Sequence, residues 1–202
     1  METGSSGVVA LETAIVTHGP FKYSLKLVQS DFPNFTLIPW IFTLISRRSH
    51  SHLTNSPGMP HPTNYECALS VENLIREQSA IPATIALIAG RIHVGLSHDQ
   101  LAYLADPAVN AKSIKLSRRD LARGIYSKVD AGTTVAGTMM LARAVGIDCF
   151  VTGGIGGVHR GAEKSMDVSA DLHELGRTPM GVVCAGAKSI LDLGLTLEVL
   201  VS

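Results

Sequence analysis

Aromatic residues make up only 5% of the 202 residues, and they are unevenly placed. Phe21, Phe32, Phe35 and Phe42, four of the five phenylalanines, fall between Pro20 and Gly58, as does the one tryptophan, Trp40. An excess of charge is also missing: 17 Lys and Arg balance 17 Asp and Glu, giving a formal net charge of +0. That argues against capture of nucleic acid or an anionic membrane surface, which need a basic excess, and leaves room for a local basic pocket holding one phosphate. The three cysteines, Cys67, Cys149 and Cys184, are odd in number and scattered through apolar runs. Free thiols in a reducing compartment are expected, without redox or metal roles. No hydrophobic run is long enough to span a bilayer, since Phe35–Ile45 is short and interrupted by Pro39. The opening M-E-T-G-S-S-G has neither a basic n-region nor an arginine-rich amphipathic stretch, so no targeting signal is read and the cytoplasm is expected, with mitochondrion and peroxisome left open. Apolar content of 46% against 17% charged fits one globular domain over 1–202, ample for a buried core.

What is present is alternation. Thr63 and Glu66 form a capping box that opens a helix with Cys67, Val71, Leu74 and Ile75 on one face. Thr84–Ile88 and Arg91–Leu96 read as strands joined by Ala89-Gly90 into a hairpin. Ser97 with Gln100 caps a second helix, and Ser117 with Asp120 caps a third after the strand Lys112–Leu116. Gly132 begins a small-residue helix that Gly146 ends. Ile147–Val151 and Met180–Ala185 read as buried strands, with a short helix Ser169–Leu175 between them closed by Gly176. The fold class is α/β, a mixed and largely parallel sheet flanked by helices. Ligands in such sheets sit at the carboxyl ends of strands, where a glycine-rich segment and Lys188 both emerge.

That segment is Thr152–Asp171, T-G-G-I-G-G-V-H-R-G-A-E-K-S-M-D-V-S-A-D. Four glycines in five residues follow an apolar strand, then a histidine, an arginine and three acids, with no hydrophobic face to bury. Each glycine costs conformational freedom on folding, so such a run is not kept for packing. The expected return is backbone that approaches a ligand closely, with N–H groups aimed at anionic oxygen.

This segment, together with Ala10–Gly19 (A-L-E-T-A-I-V-T-H-G), Lys115–Leu121 (K-L-S-R-R-D-L), Gly132–Met139 (G-T-T-V-A-G-T-M) and Arg177–Asp192 (R-T-P-M-G-V-V-C-A-G-A-K-S-I-L-D), closely resembles pseudouridine-5′-phosphate glycosidase in residues and in order. The resemblance implies the indigoidine synthase A-like fold and a carbon–oxygen hydro-lyase. Its reaction would be reversible cleavage of the C–C glycosidic bond of pseudouridine 5′-phosphate, giving uracil and ribose 5-phosphate. Most glycosidases protonate a heteroatom leaving group between two carboxylates. Here the leaving atom is carbon, and a lysine imine with ring-opened ribose can serve as the electron sink. Lys188 matches the family's nucleophile, and its apolar approach V-V-C-A-G-A would favour the neutral amine by desolvation. Glu12 matches the proton donor to the ribose ring oxygen, set among apolar neighbours that would raise its pKa. Asp167 matches the metal position, where one carboxylate with waters suits Mn2+ or another hard divalent cation. Ser169, Ala170 and Asp171 match a substrate-contacting triplet, although Ser169 also reads as a helix cap. Lys115 and Val135 match two further substrate positions, by charge and by main chain respectively. His159 and Arg160 are candidate phosphate or ring contacts from their place beside the glycines. His18 is assigned no role.

Residues Pro20–Gly58 depart from the pattern, because in the family T-H-G runs directly into M-P, the dipeptide found here at Met59-Pro60. The segment reads as an insertion, from a retained intron or as a lineage-specific lid or docking element; long structureless insertions in compact domains are uncommon. Family members also continue beyond the position of Ser202, so the chain reads as C-terminally truncated, and a homotrimer is expected of the complete form. The alternatives are a catalytically inactive fragment that binds sugar phosphate or serves as an oligomer partner, and, from the lysine alone, an unrelated Schiff-base lyase or aldolase.

Overall fold

Strand Ile85–Ile88 shows why the chain layers as it does. Alternate residues point to opposite faces of a sheet. Ile85 packs with Leu141, Ala142 and Ile147, whereas Ala86 packs with Ala68, Leu96, Leu101 and Leu104 on the other side. A strand buried on both faces demands helices above and below it.

The computed structural model describes residues 61–77, 80–110 and 112–202, with the backbone of three two-residue strands, Thr17–His18 (β1), Phe21–Lys22 (β2) and Ile41–Phe42 (β3). Glu12 and most of Pro20–Gly58 lie outside the described residues. Strands β4 (Ile81–Pro82), β5 (Ile85–Ile88), β6 (Arg91–Val94), β7 (Ile114–Leu116), β8 (Ala131–Thr133), β9 (Cys149–Val151) and β10 (Gly181–Val183) follow. Between and after them run helices α1 (Thr63–Glu77), α2 (His98–Ala105), α3 (Leu121–Tyr126), α4 (Val135–Ala144), α5 (Ala162–Ser165), α6 (Ala170–Leu175) and α7 (Leu193–Val201). One four-stranded sheet has the order β6-β5-β8-β7, with β7 and β8 parallel and the other two ladders antiparallel. Strands β9 and β10 form a parallel pair in the register Cys149↔Gly181 to Val151↔Val183, β3 pairs with β4 in parallel, and β1 pairs with β2 antiparallel. The fold is mixed α/β as expected, with parallel and antiparallel ladders in equal share among the described residues.

Several local expectations hold. The β5–β6 hairpin turns at Ala89 and Gly90, both at positive φ (48° and 75°), as a two-residue loop requires. A Cβ on Gly90 would lie 2.7 Å from the Ile125 carbonyl oxygen, so the turn is also a close approach. Ser97 Oγ accepts from Gln100 N–H while the Gln100 side chain accepts from Ser97 N–H, completing the capping box of α2. After α4, Gly146 adopts φ 81°, with Gly146 N–H donating to Arg143 O and Ile147 N–H to Ala142 O, the paired bonds of a Schellman end.

Two expectations are corrected. Helix α1 starts at Thr63 itself, with the Pro62 carbonyl accepting from Tyr65 and Glu66 N–H, and its buried residues are Asn64, Ala68, Glu72 and Ile75; Leu74 is exposed. Glu72 takes the inward position because Thr84 Oγ1 donates to it at 2.6 Å and Arg76 Nη2 at 3.0 Å. Gly132 does not begin a helix; it lies within β8, between β5 and β7, and α4 begins at Val135 behind an N-cap at Thr134. Gly176 does close α6, as expected, and it does so in right-handed conformation (φ −77°).

The core nearest the two carboxyl-end loops joins Val135 and Met139 of α4, Phe150 of β9, Leu172 and Leu175 of α6, and Val182 of β10. Phe150 is completely buried, and full burial of a side chain of this size contributes about 2 kcal/mol. Cys149, mostly buried, has its thiol pushed up to about 11 by desolvation, in keeping with an inert packing role. Among the described residues no helix is long and apolar enough to cross a membrane.

Candidate active site

Strands β9 and β10 are parallel neighbours, so the loops that leave them emerge at the same end and run side by side. Thr152 N–H donates to Val183 O at 2.9 Å, Ala185 N–H to Gly153 O at 2.9 Å, and Ile155 N–H to Gly186 O at 3.0 Å. A parallel bridge then pairs Ile155 with Ala187. Lys188 therefore lies beside the glycine loop, and a Cβ on Gly154 would stand 3.5 Å from Lys188 Cγ. Arg160 Nη2 donates to the Ser189 carbonyl at 3.4 Å, adding a second cation to the Lys188 turn. Lys188 is exposed, so the desolvation expected of it is not supplied by the described residues.

Gly156 and Gly157 serve a different purpose from the one expected. The N–H groups of Ile155, Gly156, Val158 and His159 are taken by Gly186 O, Asp171 Oδ2, Thr196 Oγ1 and Asp167 O, so these four are not held open for an anion. What the missing side chains permit is contact between loop and helices. A Cβ on Gly156 would lie 2.6 Å from Ser169 Cβ and 2.8 Å from Asp171 Oδ2, and one on Gly157 would lie 2.6 Å from Thr196 Oγ1. At Gly156 and Gly157, protein groups occupy the space that a ligand was expected to fill.

Asp171 and Ser169 build that contact. Asp171 Oδ2 accepts from Gly156 N–H at 2.9 Å and Oδ1 from Ala136 N–H at 3.0 Å, so one carboxylate joins the glycine loop to the first turn of α4. Ser169 Oγ accepts from Asp171 N–H at 3.2 Å, the capping role, and Ser169 N–H donates to Gly157 O at 3.0 Å. Ala170 is the first residue of α6. Val135 is only 4% exposed and its side chain belongs to the core, which leaves the main chain for any ligand contact. Lys115 is exposed on β7, opposite Gly132 in register, and the next residue, Leu116, accepts from Thr134 N–H at 2.8 Å, bringing Lys115 toward the start of α4.

Asp167 and His159 come together across the loop: His159 N–H donates to Asp167 O at 3.0 Å, and Nδ1 lies 3.8 Å from Asp167 Oδ2. Both side chains are about half exposed. No group of three His, Cys, Asp or Glu residues that could cage a metal occurs among the described residues. One exposed carboxylate fits a hydrated hard cation of the Mn2+ or Mg2+ kind, with water completing the shell.

Arg118, Glu174, Asp192 and Thr196 carry no expectation from the sequence, yet they brace the same region. Arg118 Nη1 donates to the buried Glu174 Oε1 at 2.7 Å. Thr196 Oγ1 accepts from Val158 N–H at 2.9 Å and donates to Asp192 O at 2.6 Å. Asp192 is legible as a cap, an aspartate before an apolar run, and its Oδ1 does accept from Leu195 N–H at 3.0 Å.

The class is thus a mixed α/β protein with a glycine loop and a lysine loop side by side where two adjacent parallel strands end. A family model described as indigoidine synthase A like protein matches residues 52–202, and the chain belongs to that family. It is 56% identical over 145 residues to a pseudouridine-5′-phosphate glycosidase of Clostridium botulinum, covering 72% of this chain and 47% of that protein. It is 59% identical over 143 residues to a pseudouridine-metabolizing bifunctional protein of Schizosaccharomyces pombe, covering 71% of this chain and 19% of that one. Two solved structures align over 79% of the chain. One is the prealnumycin C-glycosynthase AlnA in complex with ribulose 5-phosphate (TM-score 0.65, 38% identity, 49% of that chain). The other is an indigoidine synthase A-like protein from Thermotoga maritima (TM-score 0.68, 30% identity, 50% of that chain). The chain spans about half the length of the Clostridium relative and of both solved structures.

Proposed function

We propose that this chain carries the lysine side of a pseudouridine-5′-phosphate glycosidase site, serving reversible cleavage of pseudouridine 5′-phosphate to uracil and ribose 5-phosphate. The observation that carries the reading is the pairing of the β9 and β10 loops, which sets Lys188 against Gly154 with Arg160 reaching Ser189. The identity of more than half over the matched residues supports the same assignment.

In this reading Lys188 Nζ bonds to C1′ while the ribose ring oxygen leaves with a proton from Glu12, which lies outside the described residues. The bond from C1′ to the uracil carbon then breaks. Its electrons stay with uracil, which takes a proton at that carbon, and the Nζ lone pair forms the C1′ imine. Water hydrolyses the imine, releasing ribose 5-phosphate and the free amine. Lys115, His159 and Arg160 supply positive charge or donors for the phosphate, with Ser169, Ala170 and the Val135 main chain as further contacts. Asp171 acts through its hold on the loop and on α4. Asp167 would hold a divalent cation with water, which when bound adds positive charge beside the sugar phosphate. The assembly of the complete form is a homotrimer in this reading.

The exposure of Lys188 favours one other reading, a chain that binds sugar phosphate or joins an assembly without turnover. Incubation with uracil, ribose 5-phosphate and manganese, then borohydride reduction and intact mass measurement, separates the two. A ribose-phosphate adduct that is lost in Lys188→Ala is expected. A folded, unmodified chain would overturn the catalytic reading and leave the binding one.

A further inference from the structure

Glu174 is a carboxylate on α6 with 2% of its side chain exposed, and a carboxylate removed from water needs a partner. Thr178 Oγ1 donates to its Oε1, and so does Arg118 Nη1, at 2.7 Å, from 56 residues earlier in the chain. Arg118 opens the 3-10 turn Arg118–Asp120, three residues after Lys115. That turn is fixed on its other side by Asp120 Oδ2, which accepts from Ser117 N–H at 3.2 Å. Glu174 is on the same short helix as Asp171, one turn later, and Asp171 holds the glycine loop and α4.

We infer that Glu174, through Arg118, is a positioning residue that fixes the Lys115 end of β7 relative to the Ser169–Asp171 segment. Helix α6 then governs both sides of the site with two carboxylates, Asp171 toward the glycine loop and Glu174 toward Lys115. The inference rests on the proposed reading for its consequence, since Lys115, Ser169 and Ala170 are there substrate contacts. This ion pair links the 3-10 turn to α6 directly, so its loss should loosen the Lys115 end of β7 while leaving β5 and β6 paired. Arg118 has 45% of its side chain exposed, so its replacement buries no new group. Glu174 then keeps Thr178 Oγ1 as a donor but loses its cation, which Arg118→Lys restores.

The test uses Arg118→Gln and Arg118→Lys in the full chain. Hydrogen exchange at the Thr134 N–H, whose acceptor is Leu116 O, reports on the hold directly and needs no turnover. We expect exchange there to quicken at least about tenfold in Arg118→Gln, with the Ile85–Ile88 amides unchanged and Arg118→Lys intermediate. In the condensation of uracil with ribose 5-phosphate, KM for the sugar phosphate should rise on the order of ten- to a hundredfold while kcat changes much less. Unchanged Thr134 exchange in a folded Arg118→Gln overturns the inference. Faster exchange with KM unchanged also overturns it, by showing that the tie serves stability alone. A wild type that neither turns over nor forms a borohydride adduct defeats the proposed reaction, and the exchange result still decides whether Glu174 and Arg118 hold the segment.

Discussion

Gly153 and Gly156 are three residues apart in one glycine run, and the sequence gives no reason to rank them. The structure separates them by what lies next to each. A Cβ on Gly156 would meet the Ser169 side chain and come within 2.8 Å of Asp171 Oδ2, the oxygen that binds Gly156 N–H. Gly153 has no heavy atom within 4 Å of an added Cβ, and its φ is not positive. Gly156→Ala should therefore destabilise by about 1–3 kcal/mol, the cost of overpacking a fitted contact. Gly153→Ala should stay within about 0.5 kcal/mol of the parent. Paired urea denaturation curves check both, and similar midpoints for the two variants would mean that the loop is not packed on α6 as described. At this scale the sequence pointed to a segment of close approach, for an incomplete reason. Glycine enrichment marks close approach, and only tertiary structure tells whether the neighbour is ligand or protein.

Among elements, those closed by local chemistry were legible. The Ala89-Gly90 hairpin, the Ser97/Gln100 box and the Gly146 stop depend on residues within a few positions of one another, and all three are present. Elements decided by distant partners were not. Gly132 lies in a strand because Ala86 and Lys115 flank it in register, which a small-residue pattern cannot reveal. The inward face of α1 includes Glu72 because Thr84, twelve residues away, donates to it. Ser169–Asp171 was found through its motif, whereas Glu174–Arg118 was not, since two charged residues 56 apart leave no periodic trace. The start of α4 gives the sharpest test at this scale. Thr134 Oγ1 accepts from Gly137 N–H at 3.1 Å, satisfying a donor at the helix end that Asp171 also holds. Thr134→Ala should cost about 1 kcal/mol, and Thr134→Ser should recover most of it, as capping oxygens are interchangeable there. Thermal unfolding of the two variants side by side is the measurement. An alanine variant as stable as the parent would assign the helix start to Asp171 alone.

At the scale of the whole molecule the unusual surface is α7. Its sequence, L-G-L-T-L-E-V-L-V, is apolar around nearly its full circumference, a composition typical of a buried helix. Only Thr196 is buried, with Leu200 packed on the core around Phe150. Leu193, Leu195, Leu197, Val199 and Val201 are all exposed, and Ile190 extends the patch. Soluble monomers rarely leave so continuous an apolar surface in water. The purified chain should therefore bind an apolar dye and sediment as concentration-dependent larger species. Changing Leu195 and Leu197 together to Glu should suppress both behaviours and leave the urea midpoint nearly unchanged, because neither residue belongs to a core cluster. Leu200→Glu should do the reverse, lowering the midpoint by placing a charge against the Phe150 core. Sedimentation velocity across a concentration series, with the three proteins compared, separates surface from core. If the double variant self-associates as strongly as the parent, the sticky surface is elsewhere on the molecule and α7 is not its cause.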